Sequence, residues 1–70
     1  MMPLTLANTD EDNTIRHIGG SNEVRRHLEN LGFVAGGNVK IVSRVGNNVI
    51  VVVKETRIAL DEKLAQKIMI

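Results

Sequence analysis

The scarcest residues in this sequence are those that build disulfides, thiolate metal sites and aromatic cores. Its 70 residues include no cysteine, tryptophan or tyrosine, and only one phenylalanine and one proline. Without cysteine, the chain forms neither disulfides nor thiolate metal sites. Because Phe33 is the single aromatic residue, the core must be aliphatic, and its valines and isoleucines favour β-strands through their β-branching.

Strong net charge and long apolar runs are also absent. The formal net charge is +1, whereas a dedicated nucleic-acid binder usually carries a strong basic excess, so no nucleic-acid partner is expected. No apolar stretch approaches the roughly 20 residues that span a bilayer, and residues 1–7 lack the basic region and long apolar core of a signal peptide. We therefore expect a single cytoplasmic domain over residues 1–70 that does not itself span a membrane.

A helix is predicted over about residues 21–31. Ser21 is suited to cap it, because its hydroxyl can accept a hydrogen bond from a free amide of the first turn, and Glu23 places a negative charge where the helix dipole favours one. Apolar residues follow at helical spacing and form one stripe, which consists of Val24, Leu28 and Leu31. Gly32 then supplies the left-handed residue that commonly ends a helix.

Most of the remaining chain shows strand patterns. Strands are predicted over residues 14–18, 38–45, 49–54, 57–60 and 67–70, with 49–54 central and buried on both sides. Residues 1–7 are expected to add a short edge strand or to lie across the barrel, and 8–13 to form a polar loop.

Short turns connect these strands. They are predicted at residues 46–48 and 55–56, and Asp61 is expected to cap a helical turn that continues to Ala65. The elements together predict a mainly β fold: a small, partly open SH3-like barrel of about five strands, with one α-helix at about 21–31 and a short C-terminal helical turn.

The junction between the predicted helix and the next strand carries a recognisable pattern. It reads Leu28-Glu29-Asn30-Leu31-Gly32-Phe33-Val34-Ala35-Gly36 and resembles the Leu-x-x-Leu-Gly-(apolar)-x-x-Gly signature of the FeoA family, the ferrous iron transport protein A family. Val39 and Ile41 fall where that family starts its next strand. The tail, with Ile58-Ala59-Leu60, Ala65 and Ile68, resembles the family's closing segment, so the resemblance extends roughly from Thr14 to Ile70.

This resemblance implies an SH3-like domain in a small cytoplasmic accessory protein of ferrous iron uptake that acts by protein–protein interaction. The implied partner is the cytoplasmic part of FeoB, the membrane transporter that carries a G-protein domain. The same fold is similar to the C-terminal domain of iron-dependent repressors, so a metal-responsive regulatory module is the alternative.

The sequence departs from the family pattern at three places. His27 stands where the family often has arginine. The compact Gly46-Asn47-Asn48 replaces a loop that is often longer and contains proline, and the turn before Ile58 lacks a common glycine.

His17 and His27, the two histidines of the chain, are the first candidates for a metal site. Glu23 and His27 lie one helical turn apart and could share a divalent transition metal such as Fe²⁺. The alternative is that both histidines are ordinary surface residues. The acidic segment 10–12 could hold a hard cation, but it lacks the twelve-residue calcium-loop pattern, and a solvated loop is the expected interpretation.

Three residues are candidates for contact with a partner. Arg25 and Arg26 could bind an acidic group or a phosphate, and the alternative is a solvated helix face paired with Glu29. Phe33 either fills the core or is exposed as a docking anchor, since large aromatic residues dominate interface energetics.

The sequence gives little support to catalysis. It has no cysteine nucleophile and no recognisable Ser/His/Asp spacing, so no enzyme is predicted. Gly32, Gly36 and Gly37 are interpreted as structural turn residues, because a strand and not a phosphate-binding helix follows them. A small RNA-associated barrel is a further alternative, which the near-zero net charge and the lack of stacking aromatics argue against.

Overall fold

Six short strands and two helices make up the computed structural model, which describes residues 1–70. The strands are β1 (Asp12–Thr14), β2 (His17–Ile18), β3 (Asn38–Val45), β4 (Asn48–Val53), β5 (Thr56–Asp61) and β6 (Ile68–Met69). The helices are α1 (Asn22–Asn30) and α2 (Glu62–Ala65), and Leu4–Leu6 forms a 3-10 turn. The mainly β class with one principal helix is therefore confirmed.

The strands form two antiparallel sheets. The larger sheet has four strands in the order β1-β3-β4-β5, and the smaller sheet pairs β2 with β6. The prediction of about five strands in a partly open arrangement is confirmed: there are six short strands, and the sheet is not closed into a barrel.

Two tight hairpins build the centre of the larger sheet. Gly46, with φ +60°, opens the turn between β3 and β4, and glycine at the first central position suits a two-residue hairpin. The turn between β4 and β5 consists of Lys54 and Glu55, both with left-handed φ values of 48° and 65°. Non-glycine residues rarely adopt such values, so nothing in the sequence marks Lys54 as a turn residue. The turn predicted at 55–56 is therefore one residue too late.

β4 is the central strand, but only one of its faces is fully buried. Val49, Val51 and Val53 are buried in the core, whereas Ile50 and Val52 on the other face are half-buried. The prediction that this strand is buried on both sides is therefore corrected, because nothing in the chain covers the second face completely.

The strand predicted over residues 14–18 is two strands in two different sheets. Between them, the N–H of Ile15 donates to Gly37 O (2.8 Å) and the N–H of Gly36 donates to Ile15 O (2.7 Å). The next residue, Arg16, donates its N–H to Met69 O (2.8 Å). The chain thus leaves the larger sheet at the fully buried Ile15 and enters the smaller sheet.

The two ends of the chain meet beside β6. The N–H of Met2 donates to Ile70 O (2.9 Å), and the N–H of Ile70 donates to Met2 O (2.8 Å). Leu4 is completely buried in the following 3-10 turn. The N-terminal segment is therefore a structural part of the core, which consists entirely of hydrophobic side chains.

Candidate interaction site

Helix α1 is held in place by a cap at its start and an apolar stripe along one side. Ser21 Oγ accepts a hydrogen bond from the N–H of Val24 at 3.2 Å, which satisfies a free amide of the first turn. Leu28 is completely buried, and Val24 and Leu31 pack against the core. The predicted cap and stripe are both confirmed.

The opposite side of α1 carries polar and charged side chains. We call this surface the α1 outer face; it consists of Asn22, Glu23, Arg25, Arg26, His27, Glu29 and Asn30. All of these residues are exposed except Arg25, which is half-buried. Two shallow depressions lie on the face, and both are lined by Asn22 and Arg26.

The two arginines of this face differ in their surroundings. The guanidinium of Arg25 donates from Nη2 to Asn22 Oδ1 at 2.6 Å, so an i, i+3 partner on the same helix orients it. Arg26 is more exposed than Arg25. Since a guanidinium offers several N–H donors, both side chains retain groups that can bind a carboxylate or a phosphate.

The structure brings together only two of the three candidate metal ligands. Glu23 and His27 line the same depression of the α1 outer face. His17 lies on β2, opposite Met69, and is exposed. No group of three or more His, Asp or Glu side chains is close enough to hold a metal ion, so the three candidates do not form one site.

The acidic segment 10–12 is built into a turn and a strand. Asp10 has a left-handed φ of 64° and donates its N–H to Ile41 O (2.7 Å). Glu11 accepts a hydrogen bond from the side chain of Asn8 at 3.2 Å, and Asp12 lies opposite Lys40. Asp12 and Asn13 therefore belong to β1, and the predicted loop is shorter than 8–13.

Phe33 is a core residue. Its exposed fraction is 0%, and its N–H donates to Leu28 O (3.0 Å) just after the end of α1. The sequence leaves both a core and a docking position open for this side chain. Its burial corrects the assignment as a partner contact, because a completely buried ring offers no surface to another protein.

The glycines around Phe33 shape the chain between α1 and β3. Gly32 and Gly36 have φ values of +109° and +88°, which residues with a side chain rarely adopt. At Gly37 a Cβ atom would lie 3.0 Å from Val34 O. Gly36 and Gly37 also form hydrogen bonds with the backbone of Ile15, as described above.

A second polar centre, at Arg44 on β3, has no signal in the sequence pattern. Its Nη2 donates to Thr5 O (2.9 Å) and Ala7 O (2.8 Å), and its Nη1 donates to Thr9 Oγ1 (3.3 Å). The contacts join segments that are far apart in the sequence, so no local sequence pattern predicts them. Arg44 fastens the N-terminal segment to the larger sheet.

Similarity to known proteins identifies the family of this chain. The model of the FeoA domain matches residues 2–70. The chain belongs to the FeoA family. A comparison with curated protein sequences found no significant match.

Solved structures of FeoA proteins share the fold of this FeoA-family chain. A crystal structure of an iron uptake regulatory protein (FeoA) has a TM-score of 0.87 and 22% identity, covering 96% of this chain and 91% of its own. The Stenotrophomonas maltophilia FeoA, described as a prokaryotic SH3 domain protein complexed with zinc, has a TM-score of 0.77 and 25% identity, covering 99% and 88%. The fold is therefore SH3-like.

A transcription factor contains a domain with the same fold. A manganese-dependent transcriptional repressor matches with a TM-score of 0.84 and 16% identity, over 94% of this chain and 38% of the repressor. The similarity to a repressor domain expected from the sequence is confirmed at the level of the fold. Neither helix of this FeoA-family chain is long and apolar enough to cross a membrane.

Proposed function

We propose that this chain is a non-enzymatic, cytoplasmic accessory protein of ferrous iron transport that binds the cytoplasmic part of a FeoB-type transporter. The observation that carries the proposal is the match of the FeoA domain to residues 2–70, because the family is linked to ferrous iron transport. Neither helix of the chain could cross a membrane, so the role we propose in transport is exerted through another protein.

The α1 outer face is the surface we assign to this interaction. Arg25 is oriented by Asn22 at 2.6 Å, and the neighbouring Arg26 is exposed. Hydrogen bonds between an arginine and a carboxylate are stronger than those between neutral groups and are selective in their geometry. The partner surface is therefore expected to be acidic where it meets Arg25 and Arg26.

Binding at this face regulates transport only if it distinguishes two states of the transporter. A ligand shifts a conformational equilibrium by the difference between its affinities for the two states. The G-protein domain of a FeoB-type transporter provides such states, so the affinity of this chain is expected to differ between the nucleotide-free and nucleotide-bound partner.

Calorimetric titration with the cytoplasmic domain of the cognate transporter, with and without nucleotide, tests the proposal. Saturable binding is expected, and Arg26→Glu should weaken it about tenfold or more, since a tenfold change corresponds to about 1.4 kcal/mol. Arg16→Glu is the matched control, because Arg16 is also exposed but lies between β1 and β2. Absence of binding in both nucleotide states would contradict the proposal.

A transition metal is a second proposed ligand of the α1 outer face. Glu23 and His27 line one depression, and carboxylate and imidazole are suitable ligands for Fe²⁺, Mn²⁺ and Zn²⁺. Two protein ligands would leave the remaining coordination positions to water or to the partner. This arrangement also suits the alternative function, a metal-responsive regulatory module like the domain of iron-dependent repressors.

Titration with Fe(II), Mn(II) and Zn(II) tests the metal proposal. His27→Ala should abolish binding, whereas His17→Ala, which removes the other exposed histidine, should leave it unchanged. If no metal binds more tightly than about 1 mM, or if His17→Ala has the larger effect, the assignment to Glu23 and His27 is wrong.

A further inference from the structure

Strand β5 is the longest edge strand of the molecule. It lies at one end of the order β1-β3-β4-β5 and has six residues, whereas β1 at the other end has three and β2 has two. A strand at a sheet edge presents unpaired N–H and C=O groups, and natural proteins usually shorten, cover or charge such an edge.

The register with β4 shows which groups of β5 are free. In a two-residue hairpin the flanking pair exchanges hydrogen bonds, and hydrogen-bonded pairs then recur at every second residue. Val53 and Thr56 are the flanking pair here, and the N–H of Glu62 donates to Asn47 O (2.8 Å) in continuation of the same register. The odd-numbered residues of β5 therefore direct their backbone groups away from β4.

These outward-directed residues are Arg57, Ala59 and Asp61. All three are exposed. No turn, loop or cap hydrogen bond involves the backbone of Arg57 or Ala59. The edge is thus open to another strand at Arg57 and Ala59.

We propose that β5 pairs with β5 of a second copy of this chain, antiparallel, with Ala59 opposite Ala59 and Arg57 opposite Asp61. This register matches outward-directed residues with each other, as hydrogen-bonded pairs of antiparallel strands require. It is a two-fold symmetric contact, in which the same patch serves both copies. It would extend the larger sheet from one copy into the other.

Charge complementarity indicates that the strand pairing with the β5 edge belongs to a second copy of this chain. Glu55 and Arg57 precede Ala59, whereas Asp61 and Lys63 follow it. Residues at equal distances on the two sides of Ala59 therefore carry opposite charges. Two antiparallel copies therefore place each arginine opposite an aspartate of the other copy. A shift by two residues places either Arg57 or Asp61 opposite Ala59, depending on its direction, and loses both charge pairs.

The side chains of the strand permit this approach. Ala59, at the symmetry axis, has the smallest side chain that an L-residue carries. Asp61 uses Oδ1 to cap α2, accepting from the N–H of Leu64 at 3.0 Å, and its second carboxylate oxygen remains for the arginine of the other copy. Arg57 and Asp61 lie opposite Val52 and Asn48, on the sheet face that is not fully buried.

Sedimentation equilibrium over a concentration series, up to about 1 mM, tests this pairing. The weight-average mass is expected to rise from 7.7 kDa towards twice that value. Ala59→Pro should keep the chain monomeric, because it removes an outward N–H and no internal hydrogen bond, and proline is tolerated at strand edges. Ala59→Ser keeps the N–H and should still associate.

Arg57→Asp is the second variant. It replaces two attractive cross-strand pairs by two repulsive ones and should raise the dissociation constant about tenfold or more. Arg16→Asp makes the same charge change outside β5 and should have no effect.

Amide spectra recorded during the concentration series locate the contact. The signals of residues 57–61 should shift with concentration in the wild type and stay constant in Ala59→Pro. A wild type that stays at 7.7 kDa throughout, a dimer that survives Ala59→Pro with its fold intact, or shifts confined to another surface would each overturn the proposal.

Discussion

Replacing Phe33 with alanine should remove a large part of the stability of this protein. The ring is completely buried and is the only aromatic side chain in a core of aliphatic residues. Truncation of a buried phenylalanine typically lowers the free energy of unfolding by about 3–5 kcal/mol, since apolar contacts are lost and a cavity remains. A chain of 70 residues is expected to have a total of only about 4–10 kcal/mol.

Urea denaturation followed by far-UV circular dichroism measures this change, because the chain has no tryptophan or tyrosine to report by fluorescence. Phe33→Leu is the graded control. It should lower the free energy of unfolding by less than Phe33→Ala does, since it keeps most of the apolar volume. If Phe33→Ala lowers the free energy of unfolding by less than about 1 kcal/mol, well below the usual cost of such a truncation, the ring does not fill the core and the docking interpretation would have to be reconsidered.

Three further substitutions test individual contacts. Gly32→Ala forces a side chain into a backbone conformation with φ +109° and should lower the free energy of unfolding by about 1–2 kcal/mol. Gly19→Ala is its control in the same urea titration and should be nearly neutral, because a Cβ there would meet only Lys67 O at 3.5 Å. Ser21→Ala removes the α1 cap and should lower the free energy of unfolding by about 1 kcal/mol; an unchanged midpoint would show that the 3.2 Å bond contributes nothing. Arg44→Met removes the hydrogen bonds to the N-terminal segment and should speed amide exchange and proteolysis there while the α1 amides stay protected; unaltered exchange would contradict the fastening role.

The sequence predicts those elements whose determinants are local. The cap at Ser21, the stripe along α1 and the left-handed Gly32 all lie within a dozen residues, and the helix was found within one residue at either end. Strand β3 was predicted with its observed bounds, because alternation and the glycine after it define a strand without reference to the rest of the chain.

Contacts between distant segments explain why the strand predicted over residues 14–18 was wrong and why the contacts of Arg44 were not predicted. Residues 14–18 have the composition of a strand. The backbone of Ile15, however, forms hydrogen bonds with Gly36 and Gly37, and that of Arg16 with Met69. The composition of a segment does not reveal that its two halves pair with different partners. For the same reason, the contacts of Arg44 with the N-terminal segment could not be predicted from the sequence around either partner.

The candidate site was predicted less completely than the fold. Helical spacing correctly placed Glu23 and His27 on one face of α1, because residues four apart are neighbours on a helix. Spacing could not decide whether His17 joins them, since its position depends on how β2 pairs with β6. Phe33 was ambiguous because an apolar side chain after a glycine stop suits both a core and an exposed position.

Amide spectra of the isotope-labelled chain, titrated with the cytoplasmic domain of the cognate transporter, test the central claim most directly. The signals of the α1 outer face, above all Arg25 and Arg26, should shift or broaden saturably, and Arg26→Glu should suppress the change. Unaltered spectra in both nucleotide states of the partner, or shifts that leave α1 untouched, would contradict the assignment of this surface to the transporter.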